Sequence, residues 1–292
     1  MDWNSRRITS ILENALLEDR ATADATTKAC IDPKQLGLAL IRTKQDCVLS
    51  GLGAITRIFE VFAALDKTVE GHPQVISHPE VFDGVKLAKG AVVATIRHNA
   101  RVILSCERVM LNLLQRLSGT ATLTRKFVDA IHGTHAKILD TRKTVLGLRV
   151  LDKYAVRCGG GQNHRLDLSD GVLIKNNHIA LAGGIRPALE RAHKNRQGSQ
   201  IIEIEVKSLK ELDEALEFGA EAILLDNMTS ELVSQAVEKC ARRPKKIPLE
   251  CSGGIRLENI RAYADTGVDF ISVGALTHSP IAVDMNLRIE PA

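Results

Sequence analysis

AKILDTRKTVLGLRVLDKYAVRCGGGQNHRLDLSDGVLIKNNH, residues 136–178, contains two short apolar runs that each stop abruptly at charged residues, cations among them. Ala136 to Leu139 ends in Asp140-Thr141-Arg142-Lys143-Thr144, and Val172 to Ile174 ends in Lys175. Between them lie a helical pattern over about 147–157, the loop Gly159-Gly160-Gly161 and the cluster Asn163-His164-Arg165. Two strands that deliver cations at their carboxyl ends, with more cations on a glycine-rich loop, describe a pocket for an anion.

The same texture continues to the C-terminus. Apolar runs at Ile201–Ile204, Ala222–Leu225, Ile247–Leu249 and Phe270–Val273 alternate with amphipathic patterns near 185–195, 208–218, 229–241 and 256–266. Repeated βα units with strands apolar throughout predict a parallel sheet covered by helices. The strands end in Asp140 to Lys143, Lys175, Glu205, Asp226, Ser252-Gly253-Gly254 and Gly274. A barrel brings all such ends to one face, whereas an open sheet spreads them along a line. The concentration of polar groups there favours the barrel.

Upstream the pattern differs. Ile8, Ile11, Leu12, Ala15 and Leu16 predict a first amphipathic helix with Asn4 or Ser5 at its start. Residues 18–27 are polar and turn-like. Strands are expected at 36–41, 47–49 and 91–97, with a helix over 54–65 between them. Gly71, Pro73, Pro79 and Gly84 break the stretch between helix and last strand. A helical pattern over 104–132 carries Ser118-Gly119, which reads as a junction between two helices.

With 292 residues, 45% hydrophobic and 25% charged, the chain suits one large or two ordinary globular domains. Aromatic residues are 3% of the total, so the core is aliphatic and stacking platforms for nucleic acid are not expected. The net charge of +4 is spread without a dense basic run, which argues against nucleic-acid and membrane surfaces. The six cysteines contain no CxxC pair and no zinc spacing, and no signal-like or spanning apolar segment occurs. Reduced thiols and a cytoplasmic location are expected.

Several motifs carry chemistry. Ser252-Gly253-Gly254 and Val273-Gly274-Ala275 follow the last two strands, where small residues expose backbone N–H groups to a phosphate. Glu205 and Asp226 end adjacent strands and suit either a polyphosphate-borne magnesium ion or sugar hydroxyls. Glu203 shares the face of Glu205, and Asp226 could instead cap the following helix. Arg142, Lys143, His164, Arg165 and Lys175 exceed what two carboxylates neutralise, so a highly charged anion is expected. Arginine suits carboxylates and lysine suits phosphates.

The run Asp140-Thr141-Arg142-Lys143-Thr144, Gly147-Leu148-Arg149, Gly159 to Arg165 and Leu173-Ile174-Lys175-Asn176-Asn177-His178 resembles quinolinate phosphoribosyltransferase, the carboxylating nicotinate-nucleotide pyrophosphorylase. So do Leu17-Glu18-Asp19, Glu107-Arg108, Leu117-Ser118-Gly119, Ile204-Glu205-Val206, Leu225-Asp226-Asn227 and Gly267 to Thr277. The resemblance implies an N-terminal α/β sandwich (1–116, joined by 278–292) and an incomplete TIM-like α/β barrel (117–277). It implies a homodimer, or a higher oligomer built from it, in which Arg108 reaches the partner's site. Arg142, His164 and Arg165 would hold quinolinate, with Thr141 beside them. Lys143 and Lys175 would face quinolinate and the pyrophosphate of phosphoribosyl pyrophosphate. Glu205 and Asp226 would address ribose and Mg2+, directly or through the substrate, and Ser252, Gly253, Gly254, Val273, Gly274 and Ala275 the 5′-phosphate. Lys143, Lys175, Glu205 and Asp226 are the catalytic candidates.

Four positions depart from the family's usual residue: Ala23 and Asp167 replace glycine, Leu146 proline, and Asn176 an acid. A positive φ at 167 would suit aspartate better than most residues. Three other readings share the same residues: a related protein associated with molybdenum transport, a barrel aldolase with Lys175 as Schiff base, and a non-catalytic anion-binding protein. Leu173-Ile174-Lys175 followed by Asn177-His178 favours the quinolinate enzyme over the molybdenum-associated relative.

Overall fold

The computed structural model describes residues 1–292, which divide into two compact units. Unit 1 comprises 1–123, 145–160 and 280–292; unit 2 comprises 124–144 and 161–279.

Unit 1 is built on an antiparallel sheet. Its strands are β1 (Leu36–Thr43), β3 (Gln74–Ile76), β5 (Val92–Asn99) and β12 (Met285–Pro291), in the order β12-β1-β5-β3. A two-stranded ribbon pairs β2 (Cys47–Val48) with β4 (Lys86–Leu87). In β1 every second residue, Gly37, Ala39, Ile41 and Thr43, is buried, as the period of a pleated strand requires. Helices α1 (Arg6–Glu18), α2 (Ala25–Cys30), α3 (Ala54–Leu65) and the first part of α4 (Ala100–Ala130) complete the unit. Ile8, Leu12 and Leu16 of α1 and Ile55, Ile58, Phe59 and Phe62 of α3 recur at helical spacing and enter one core. The polar stretch before β1 is more regular than its composition suggests, because Asp24 accepts the Thr27 N–H at 3.0 Å and caps α2.

Two expectations are corrected here. No junction occurs at Ser118-Gly119, since α4 runs unbroken for 31 residues. A Cβ on Gly119 would lie 2.2 Å from the Ile281 carbonyl oxygen. The glycine admits a neighbouring backbone rather than ending a helix. Helix α5 (Arg149–Cys158), expected as a barrel cover, instead contributes Leu151 and Ala155 to the core of unit 1.

Unit 2 holds β6 (Lys137–Leu139), β7 (Val172–Ile174), β8 (Ile202–Val206), β9 (Ala222–Asp226), β10 (Leu249–Ser252) and β11 (Phe270–Ser272). All pair in parallel, in the order β6-β11-β10-β9-β8-β7. The first strand therefore meets the last, which is the wrapping of a barrel rather than an open sheet. The barrel is interrupted between β6 and β7, where Gln162 makes one isolated parallel bridge to Leu139. Helices α6 (Asn176–Ala182), α7 (Ile185–Asn195), α8 (Leu209–Glu217), α9 (Ser230–Ala241), α10 (Ile260–Ala264) and α11 (Ala275–His278) follow the strands. Leu212, Ala215 and Leu216 form the buried stripe of α8, and Ser208 caps it by accepting the Glu211 N–H. The pattern near 256–266 delivers only the five-residue α10, and α6 was not foreseen. No helix is long and apolar enough to cross a membrane.

Candidate functional site

At the carboxyl ends of the unit 2 strands lies a cavity of about 340 Å³. Residues 140–143 line it after β6, His164 and Arg165 from the following loop, and Lys175 after β7. Glu205 of β8, Asp226 and Asn227 at β9, Glu250 and Ser252-Gly253-Gly254 at β10 and Ser272 of β11 complete it. Larger cavities of about 740 and 620 Å³ occur in unit 1. Convergence of titratable groups at barrel strand ends outweighs volume as a mark of function.

The cationic wall is held by Asp140, which is fully buried. Its carboxylate accepts the Asn163 side-chain amide at 2.6 Å and the His164 N–H at 2.9 Å, fastening the loop to the end of β6. Thr141 Oγ1 accepts the Lys143 N–H at 3.1 Å. The buried Nε of Arg142 has no hydrogen-bond partner. Burial lowers the pKa of Arg165, and the neighbouring charge of Arg142 lowers it further. Two like charges and an orphaned donor share one wall, which is a costly arrangement for an empty pocket.

The acidic wall faces it. Burial pushes the Glu205 carboxyl up, Asp226 pushes it further, and Lys175 opposes them. Lys175 Nζ lies 3.6 Å from Glu205 Oε2, and Asn176 donates its side-chain amide to Oε1 at 2.5 Å. An acid at position 176 would meet Glu205 with a second negative charge; asparagine supplies a donor instead. Thr229, not Asp226, caps α9, so the Asp226 carboxylate remains at the cavity. Gly253 has φ +97°, and a Cβ there would strike Asn227 Oδ1 at 2.2 Å, so the turn after β10 needs glycine.

His164 lies between the walls. Its Nε2 is 3.3 Å from Glu203 Oε2 and 3.2 Å from Glu250 Oε2. Burial disfavours the charged ring, but hydrogen bonds to both carboxylates and their charges outweigh it and raise the pKa to about 10. The Arg165 N–H points at Nδ1 at 2.7 Å, a contact that suits a neutral ring. Two poorly solvated carboxylates exert the stronger pull, since charge pairs at low dielectric exceed one backbone hydrogen bond. In both states Nε2 carries a hydrogen. Burial raises the Glu250 carboxyl as well, while His164 draws it down. Glu203 and Glu250 were not among the expected site residues. Glu250 reads in the sequence as the start of a small-residue turn, and nothing local discloses that a histidine 86 positions earlier meets it.

Thr141, Arg142, Lys143, His164, Arg165, Lys175, Glu205, Asp226, Ser252, Gly253 and Gly254 thus share one cavity. Val273, Gly274 and Ala275 do not line it. Val273 is buried, and a Cβ on Gly274 would lie 3.5 Å from Lys143 Cδ and 3.2 Å from His278 Nε2. Arg108 lies on α4 in unit 1 and lines the cavity of about 620 Å³ with Asp19, Asn112, Arg116 and residues 145–148. Leu146 there is 90% exposed. Asp167 does not adopt positive φ; its carboxylate accepts from the Ser169 N–H and hydroxyl at 2.8 and 2.6 Å.

Residues 24–118 match the family described as "Quinolinate phosphoribosyl transferase, N-terminal domain", and residues 120–288 match its C-terminal domain. The chain is 43% identical over 280 residues to a nicotinate-nucleotide pyrophosphorylase [carboxylating] of Mycobacterium leprae, covering 95% of each. It is 41% identical over 286 residues to a probable enzyme of the same name from Bacillus subtilis, covering 98% of this chain and 94% of the relative. The crystal structure of NadC from Streptococcus pyogenes superposes with a TM-score of 0.91 at 35% identity, covering 100% of this chain and 99% of that one.

Proposed function

Because this chain belongs to the quinolinate phosphoribosyltransferase family, we propose that it transfers the phosphoribosyl group of 5-phosphoribosyl 1-pyrophosphate to quinolinate in NAD biosynthesis. The products are nicotinate mononucleotide, pyrophosphate and carbon dioxide. The observation that carries the reading beyond family membership is the unpaired Arg142 Nε beside Arg165 in a cavity that also holds Lys143 and Lys175. A dicarboxylate supplies the acceptor that Arg142 Nε lacks, in the planar geometry a guanidinium fork matches.

The pyridine nitrogen attacks C1 of the ribose as the C1–O bond to pyrophosphate breaks. Lys143 and Lys175 face the charge that develops on the leaving group. Glu205 and Asp226 fit a magnesium ion, because burial and then the charge of Asp226 raise the Glu205 pKa, and a divalent cation beside the two carboxylates relieves that. When bound, that ion supplies positive charge to the polyphosphate. The same two carboxylates share one cavity with the glycine turn at Ser252-Gly253-Gly254, whose N–H groups are offered to the 5′-phosphate. After transfer the ring nitrogen is cationic. The bond to the 2-carboxylate then breaks, carbon dioxide leaves, and the electron pair on C2 is held by that nitrogen until it takes a proton. No second cofactor is required for this step.

By the family resemblance we assign Arg108, which lines a cavity of unit 1, to the site of a partner subunit in a homodimer. Mixing Arg108→Ala with Arg142→Ala protein under exchange conditions tests this directly. Heterodimers would carry one intact site, restoring about a quarter of wild-type activity by random association. Activity no greater than the sum of the two variants would reject the shared site. Six free cysteines suit a reducing compartment, so we infer a cytoplasmic enzyme. The reaction itself is tested by mixing the protein with quinolinate, phosphoribosyl pyrophosphate and magnesium. Carbon dioxide and pyrophosphate should appear in equal amounts, and their absence would overturn the reading.

A further inference from the structure

Barrel interiors are ordinarily filled by layers of aliphatic side chains taken from alternate strands. Here two alternate strands, β8 and β10, place Glu203 and Glu250 in that interior, with Leu224 of β9 opposite Glu250 in the strand register. Glu250 is 4% exposed, and its Oε1 has no hydrogen-bond partner. Two carboxylates at such depth are a cost to folding unless something is gained from them.

What they meet is His164, which enters from the interrupted side of the barrel, where the only strand-like pairing is Gln162 with Leu139. The loop at that gap has no strand ladder beyond Gln162: Asp140 fastens its backbone at His164, and the two glutamates hold the ring. Its neighbour Arg165 follows the mounted histidine directly in the chain, with its backbone N 2.7 Å from the ring's Nδ1, and its Nη1 donates to the Gly171 carbonyl at 3.3 Å. Both ring nitrogens of His164 are thereby engaged inside the protein. Held in this way, the ring acts as a mount for the residue beside it.

We propose that Glu203 and Glu250 are positioning residues that, through His164, fix Arg165 at the cavity wall and so set the affinity for the dicarboxylate substrate. They do this without touching that substrate. The inference rests on the quinolinate reading above. A cation held by the same three side chains is disfavoured, since it would need the lone pair of Nε2, the atom that carries hydrogen toward the two carboxylates.

Glu203→Gln and Glu250→Gln keep the shape and remove one charge each, and either serves if the other does not fold. Each should raise the KM for quinolinate about tenfold, leaving the KM for phosphoribosyl pyrophosphate within about twofold. In a His164→Gln background the same substitutions should add nothing to the quinolinate KM, because they act through that ring. Additive effects, or equal rises in both KM values, would overturn the proposal in favour of a general structural role. Wild-type protein without affinity for quinolinate would overturn the functional reading itself. Normal wild-type affinity with unaltered variants would overturn only the positioning role.

Discussion

Arg116 in unit 1 and Arg142 in unit 2 are both partly buried arginines, and they are provided for in opposite ways. Arg116 meets Asp152 in a fork: Nε donates to Oδ1 at 3.1 Å, and Nη2 lies 2.9 and 3.0 Å from the two oxygens. Asp152 is completely buried, sits in the first turn of α5 and also accepts the Val145 N–H at 3.3 Å. Arg142 has an orphaned Nε and another arginine as its electrostatic neighbour. A charge satisfied from within the chain is architecture. A charge left unsatisfied beside one of like sign is held open for something that arrives later.

The contrast is broken most sharply by truncating each arginine's environment in turn. Arg142→Ala should lower kcat/KM for quinolinate by about a hundred- to a thousandfold. Because the removed charge faced a like charge, the melting temperature should hold or rise. A variant that unfolds but retains its turnover when folded would reverse the assignment. Asp152→Ala should do the opposite and cost stability, about 3 kcal/mol by denaturant unfolding, at the low end for a broken buried pair because Arg116 is itself a quarter exposed. Unfolding midpoints indistinguishable from wild type would show that the fork is ornamental.

A subtler effect concerns pH. His164 has a folded pKa near 10 against an ordinary 6.5, so its contribution to stability is fully present below pH 6.5 and fades as pH rises through about 10. Wild-type melting temperature should fall more steeply across that window than that of His164→Gln, whose side chain cannot titrate. Parallel slopes for the two proteins would remove the charged histidine from the account. The smallest effect is chemical: Cys30 is exposed, whereas burial pushes the Cys251 thiol up to about 12. A thiol reagent should label Cys30 in native protein and reach Cys251 only on unfolding. Rapid labelling of Cys251 would show that the barrel interior opens.

Arg142, Lys143 and Lys175 were legible because they follow apolar runs that stop abruptly, and a parallel strand can only end where its carboxyl terminus faces the loops. Lys175 and Arg142 are placed by that rule alone. His164 and Arg165 were legible from the glycine loop before them. The acidic wall was legible in Glu205 and Asp226 but not in its deeper members. Glu250 sits beside Cys251 and the glycine turn, and its role depends on a histidine brought from the far side of an interrupted barrel. Gly119 misled for a related reason. Local propensity reads glycine as a break, whereas its use here is the approach of the Ile281 carbonyl, a contact across 162 positions of chain. The helical pattern of α5 was correct, and its destination was not, since a buried stripe such as Leu151 and Ala155 does not state which core it joins. The cap alternative at Asp226 was removed by Thr229, a neighbour that caps α9 in its place.

The central claim is that Arg142 is left without an internal partner at Nε, beside Arg165, so that a dicarboxylate can fill that place. Calorimetric titration of wild-type protein with pyridine-2,3-dicarboxylate and, separately, with pyridine-3-carboxylate tests it most directly. The account predicts that the dicarboxylate binds at least about tenfold more tightly, as expected when one charge-assisted pair is added or lost. Equal affinity for the two acids would contradict it.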